Sequence, residues 1–438
     1  MPALNSRIRA MQNDRYVLCL SSVDYRSSMG GLGRYLRDEL ELLWKRQVSS
    51  LCLFPFPTRR NPRLDRHLAQ YWGVTIDGKL AGFYRFQEIL GLIAELGQAG
   101  KRPLEAQIHH LKHFDLRRVA DLLAAVPVAV KVFLHDYYAI CPGAHLLKNW
   151  QGYCGAIPPG PATCADCMFW TPAHQGRIRE LLAGLAGRVT VVAPAPVAQR
   201  IWQAAYPDLN CPVRVIPHLK ETGEIPNPYQ AKQASEPVRI AYVGAPVAYK
   251  GWDVFRQMAE ASYRQKINCR YYHFGLGRSR DPHIRNIPVS NVVDGPAAMT
   301  RAIQAAGIDI VLLWALWPET YSYTLFESLL ANVMIVTNPE SGNIAETVAH
   351  RELGKIFRTE AELRDYAQAE AQMRTDVDFY RGRRAVLPAG MVPNEAILDT
   401  LDFAANPLLP RPAGPVRSAG HVTALYRVKL LKQRIMGR

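Results

Sequence analysis

Along the chain, short apolar runs rich in β-branched and aromatic residues alternate with longer stretches whose apolar positions recur every three to four residues. The first kind reads as strands buried on both faces, the second as amphipathic helices. In the first half the predicted strands are YVLCLSSV (16–23), VSSLCLFPF (48–56), AQIHHL (106–111), VAVKVFLHD (128–136), RVTVVAPA (188–195) and VRVIP (213–217). Helical patterns such as LGRYLRDELELLWKR and LRRVADLLAAV lie between them. A polar, Pro-bearing stretch over 218–237 interrupts the pattern and reads as a linker. The alternation restarts with VRIAYVGAP, GWDVFRQMAEASYR, CRYYHFG, AMTRAIQAAG, IDIVLLWAL and VMIVTN. This order predicts an α/β fold of two doubly wound, Rossmann-like parallel-sheet domains, over 1–217 and 238–390, with a tail over 391–438 that crosses back towards the first domain. Such sheets bind ligands at the carboxyl ends of their strands, so two of them facing each other make one interdomain cleft.

The 438 residues, 48% hydrophobic and 21% charged, suffice for two packed cores and argue against disorder. No run of about 18 apolar residues occurs, and the first residues lack the apolar core of a signal peptide, so a cytoplasmic location is expected. Lys and Arg number 53 against 38 Asp and Glu, a formal charge of +15 that favours anionic partners without choosing among nucleotides, phosphates, lipid or nucleic acid. The final stretch, HVTALYRVKLLKQRIMGR, sets Leu425, Val428, Leu431 and Ile435 on one side of a helix, with Arg427, Lys429, Lys432 and Arg434 around it. That composition suits either an anionic membrane surface or packing on its own domain.

Candidate chemistry gathers at predicted strand ends. In WPETYSYTLFES, a helix starting near Ser322 or Tyr323 puts Glu319 in the preceding turn and Glu327 in the first or second helical turn. The free amides of Tyr323 and Thr324 then offer an anion receptor suited to a diphosphate, with a carboxylate on either side to accept hydrogen bonds from sugar hydroxyls. AYVGAPVAYKGW supplies Gly244 for close backbone approach and Lys250 for a leaving phosphate. Near the N-terminus Gly30, Gly31 and Gly33 permit a tight turn against a substrate. GGLGRYL is not a full dinucleotide fingerprint and no acidic residue ends the second strand, which disfavours a nicotinamide dehydrogenase. FLHDYY places His135 and Asp136 at the same edge, and QIHHLKHF places His109 and His110 there as candidates for the acceptor side.

Taken in order, GGLGRYL, IHHL, FLHDYYAICP, YVGAPVAYKGW and WPETYSYTLFES resemble the glycosyltransferases of family 4, the retaining GT-B class, and especially its bacterial cell-surface polysaccharide members, over about residues 16–350. The resemblance implies a UDP- or GDP-sugar donor, a glycan or lipid-linked glycan acceptor, no nucleic acid, and transfer with retention that requires no metal. It implies Glu319 and His135 at the donor sugar, Glu327 at the ribose, and Lys250 with the amides of Tyr323 and Thr324 at the diphosphate. The Gly30–Gly33 loop would approach from the first domain. Ala245 stands where the family commonly has Arg, and Ser322 where it commonly has Gly. Those departures keep open a catalytically inactive binding or scaffold subunit, beside a sugar-nucleotide epimerase or phosphorylase of the same fold.

Four cysteines, Cys141, Cys154, Cys164 and Cys167, fall in a Gly- and Pro-rich segment. Their spacing suits a structural tetrahedral zinc, with plain thiols, a redox role or a disulfide as the alternatives.

Overall fold

In the computed structural model, which describes residues 11–56, 67–410 and 416–435, the chain forms two α/β lobes. The first lobe contains β1 (Arg15–Leu20), β2 (Val48–Pro55), β3 (Tyr71–Ile76), β4 (Lys79–Arg85), β5 (Arg102–Ile108) and β6 (Ala129–Phe133). A short hairpin, β7 (Leu147–Lys148) and β8 (Gly152–Tyr153), precedes β9 (Val189–Ala193) and β10 (Val213–Val215). The main sheet runs in the order β10-β9-β6-β5-β1-β2-β3-β4. It is parallel from β10 to β2, while β3 and β4 add an antiparallel edge. The β1 and β2 strands are buried along almost their whole length, which is why they read as continuous apolar runs.

A strand β11 (Leu219–Pro226) opens the segment expected to be a plain linker. The second lobe then holds β12 (Val238–Val243), β13 (Cys269–Phe274), β14 (Ile284–Ile287), β15 (Ile310–Leu312), β16 (Met334–Thr337) and β17 (Gly354–Ile356), all parallel in the order β14-β13-β12-β15-β16-β17. The returning strand β18 (Val386–Pro393) pairs antiparallel with β11, so the two passages of the chain between lobes are zipped into one ribbon. Beyond it Ile397, Leu398 and Leu401 pack in a first-lobe core, and the final helix Gly420–Ile435 buries Val422 and Tyr426 beside Phe54, Phe56 and Phe83.

The lobes face each other along the carboxyl ends of their strands and touch through buried groups. Tyr137 Oη donates to the Pro318 carbonyl at 2.8 Å, and Thr320 Oγ1 donates to the His135 carbonyl at 2.7 Å. Tyr137 and Trp317 meet edge to face at 6.1 Å in the main apolar cluster, which draws on both lobes. Among the described residues no helix is long and apolar enough to cross a membrane.

Candidate active site in the interlobe cleft

The Tyr323–Leu330 helix begins where its sequence suggests, one residue after Ser322. Ser322 Oγ accepts from Leu325 N at 3.4 Å and the residue has φ −115°, so serine serves here as an N-cap and no glycine is required. Neither strand-end glutamate faces bulk solvent: Glu319 is 5% exposed and Glu327 7%. Glu319 pairs with Lys250 Nζ at 3.0 Å. Glu327 accepts from Arg34 at 2.7 Å and from Asn291 Nδ2 at 2.5 Å. Burial pushes the Glu327 carboxyl up while Arg34 and Asn291 oppose it. Burial pulls the Lys250 ammonium down, yet the neighbouring Glu319 carboxylate holds it above its ordinary value. Two carboxylates and two cations therefore surround the amino end of one helix.

Glycines bring the backbone close on both sides. Gly30 caps the helix Gly31–Lys45, and a Cβ on Gly31 would lie 3.6 Å from the Tyr323 ring. Gly33 has no room for a side chain, since a Cβ would stand 2.6 Å from Ser28 Cβ. Gly244 has φ +112°, and a Cβ on it would lie 3.7 Å from the Thr324 methyl. The Arg34 guanidinium lies over the Tyr323 ring, 4.1 Å from its centroid. The sequence expected these glycines in a loop, but Gly31 and Gly33 lie in the first turn of a helix, and that helix start of the first lobe is seated on the helix start of the second.

The parallel register of β5 on β6 sets the histidines side by side. His135 Nε2 is 3.1 Å from His109 Nδ1, and His109 Nε2 is 3.2 Å from Gln107 Oε1. Gln107 Nε2 donates to Glu39 at 2.9 Å and Glu105 at 2.7 Å, and Lys131 pairs with Glu105 at 3.0 Å. Since an amide oxygen only accepts, His109 must carry its proton on Nε2. Its bare Nδ1 then receives the Nε2 proton of His135, leaving His135 Nδ1 as an acceptor. Burial lowers the His135 imidazole to about 3 and takes His109 down strongly, so both rings are neutral near pH 7. His110 pairs with Asp136 at 3.0 Å; burial raises that carboxyl, but His110 and the Tyr138 amide outweigh it and hold it below its ordinary value.

The structure adds groups that the motifs did not single out. Arg34 and Asn291 both bind Glu327. His218 sits in the seam among Tyr35, His135, Tyr321 and Tyr323 with both ring nitrogens buried and unpartnered, as is Tyr323 Oη. His145, packed against Tyr249 and Trp317, feels the charges of Asp136, Glu319 and Lys250, though burial is what chiefly lowers it. Arg34 lay within a quoted motif, whereas Asn291 and His218 had no local signal. Arg278, Arg280 and Arg285, the candidates for the charge absent at Ala245, are all exposed, and the cation lying over the Tyr323 ring is Arg34 of the first lobe.

The zinc expectation is corrected. Cys141, Cys154, Cys164 and Cys167 line one small cavity and are free thiols. Among the described residues, however, no group of three or more His, Cys, Asp or Glu is placed to hold a metal ion. Burial pushes the Cys141 thiol to about 11 and raises Cys154, which favours the neutral thiol over the thiolate that zinc binds. The segment also has apolar anchors of its own in Ile140, Leu146 and Leu147, so it needs no metal staple.

Two facing Rossmann-like lobes with a cleft at their strand ends define the GT-B architecture. The chain is similar to the solved structure of sucrose-phosphate synthase from Thermosynechococcus elongatus, with a TM-score of 0.52 at 12% identity over 97% of this chain and 100% of that one. It is also similar to the pneumococcal O-GlcNAc transferase GtfA, solved with UDP and GlcNAc, with a TM-score of 0.51 at 8% identity over 95% and 99% of the two chains. Likeness at these identities establishes a shared fold. No family profile matches the chain, and no curated protein matches its sequence.

Proposed function

We propose that this protein is a glycosyltransferase that moves a sugar from a UDP- or GDP-sugar to a glycan or lipid-linked glycan acceptor, with retention at the anomeric carbon, in surface-polysaccharide synthesis. The observation that carries the reading is the pair of buried carboxylates, Glu319 and Glu327, flanking the amino end of the Tyr323–Leu330 helix in the cleft. The diphosphate would lie on the amides of Tyr323 and Thr324 beside Lys250. The ribose diol would take the place of Arg34 or Asn291 on Glu327, and Glu319 would accept from the sugar hydroxyls. Charge grows on the leaving diphosphate as the glycosidic bond breaks, and fixed amides with an ammonium stabilise it without reorganisation. His135 Nδ1, held as an acceptor by the chain through His109 and Gln107, would receive a hydroxyl proton in a hydrogen bond near the reacting carbon.

The reading is tested by calorimetric titration with UDP, GDP, TDP and CMP, followed by transfer assays. One nucleotide should bind preferentially, and Lys250→Ala should slow transfer about 100-fold. Failure to bind any of the four would favour a scaffold subunit with the same fold.

Peripheral membrane attachment through the final helix belongs to the same proposal. With Val422 and Tyr426 turned into the first lobe, Leu425, Val428 and Leu431 remain exposed, at 44%, 50% and 57%, next to exposed Arg427 and Lys432. An apolar strip edged by cations suits the interface of an anionic bilayer.

A further inference from the structure

The hairpin β7–β8 carries at its tip a tryptophan that is only partly covered by its neighbours. Asn149 and Trp150 both have positive φ, 51° and 66°; asparagine tolerates this region, whereas it costs a side chain such as tryptophan about 1–2 kcal/mol. The turn is nevertheless held firmly. Asn149 Oδ1 accepts from Met168 N at 2.8 Å, Lys148 pairs with Asp166 at 2.8 Å, and Cys154 N donates to the Leu146 carbonyl at 2.9 Å. The turn leaves Trp150 44% exposed.

Its neighbours come from both lobes. Phe169 supports the indole edge to face at 5.0 Å, and Tyr249 of the second lobe stands beside it at 5.7 Å with the rings tilted by 33°. Tyr249 is fixed to the donor side: its carbonyl accepts from Leu316 N at 3.0 Å, and the next residue is Lys250, paired with Glu319. His145 completes the group, 4.8 Å from Tyr249 and 4.6 Å from Trp317. A flat apolar face, partly open, thus adjoins polar groups on Lys148, Asp166 and His145.

We propose that Trp150, with Tyr249, is a stacking platform for a pyranose ring of the acceptor. A pyranose has one face of C–H groups and a rim of hydroxyls, which matches an exposed indole edged by hydrogen-bonding groups. The proposal rests on the glycosyltransferase reading and deepens it by assigning the residues on which a sugar ring of the glycan acceptor would rest. The pairing of one ring from each lobe means that the platform is complete only when the lobes are together, as they are here.

The test uses the full chain with N-acetylglucosamine and the methyl glycosides of glucose, galactose and mannose as probes. Saturation-transfer NMR and indole fluorescence follow binding to the native protein, Trp150→Ala and Trp150→Phe, with melting curves to show that the variants fold. At least one glycoside is expected to bind, about ten-fold more weakly to Trp150→Ala, with most of the affinity kept by Trp150→Phe. Equal binding by all three proteins, or no glycoside binding to the native chain, overturns the platform. Nucleotide titration run in parallel separates the readings: a chain that binds nucleotide but shows no Trp150-dependent glycoside binding loses the platform alone, and one that binds no nucleotide loses the donor site.

Discussion

Glu327 shows how much of a site one residue can reveal and how much it conceals. Its place one turn into a helix was legible because helix starts are set by local sequence: an apolar strand, a turn and a capping serine. Its partner Arg34 was not, because the pairing joins residues 293 positions apart and depends on how two lobes meet. Replacing Glu327 with Ala leaves Arg34 unpaired and, on the proposed reading, removes the acceptor for a ribose diol; nucleotide affinity measured by calorimetry should then fall about 10–100-fold. Unchanged affinity would remove Glu327 from the site. The buried relay makes a pH prediction. Burial pushes the Glu39 carboxyl up to about 8, from an ordinary 4.5, among Lys131, Glu105, Gln107 and His109. The folded chain therefore keeps a proton that the unfolded chain releases, so this group's contribution is full below pH 4.5 and is lost as pH rises through 8, at up to about 1.4 kcal/mol per pH unit. Glu39→Gln should flatten the decline of Tm over that window, and parallel Tm profiles would place the proton elsewhere.

At the scale of elements, the apolar runs located the inner parallel strands of both sheets because burial on two faces leaves little room for polar residues, whereas the short, partly exposed edge strands β14 and β17 gave no such run. The β3–β4 hairpin escaped that reading, although Asp77–Gly78, at φ 45° and 77°, is a two-residue turn of the kind that joins antiparallel strands. The β11–β18 ribbon escaped it for a different reason. Its first strand is mostly exposed and polar, so no apolar pattern marks it, and its partner lies more than 150 residues away. The cysteine segment misled in the opposite direction, since spacing cannot report whether thiols are buried and neutral. The glycine-bearing helix start gives a sharp test of element packing. Gly33→Ala would push a methyl into Ser28, both its Cβ and its carbonyl oxygen at 2.7 Å, and should destabilise the protein by about 1–3 kcal/mol in denaturant titration. A neutral result would mean that this helix start can shift away from the donor helix.

For the molecule as a whole, the proposed chemistry lies in the seam between the lobes and the proposed membrane attachment on the final helix. Leu425→Ser, Val428→Ser and Leu431→Ser together remove the exposed apolar strip while leaving Val422 and Tyr426 seated on the first lobe. Flotation with phosphatidylserine vesicles should recover the native protein and lose the triple variant; equal recovery would assign any attachment to charge elsewhere. The most direct test of the account is a crystal structure of the protein soaked with the nucleotide that binds in calorimetry. The account predicts the diphosphate on the amides of Tyr323 and Thr324 beside Lys250, with the ribose hydroxyls on Glu327 in place of Arg34 or Asn291. A nucleotide bound away from the two glutamates would contradict it.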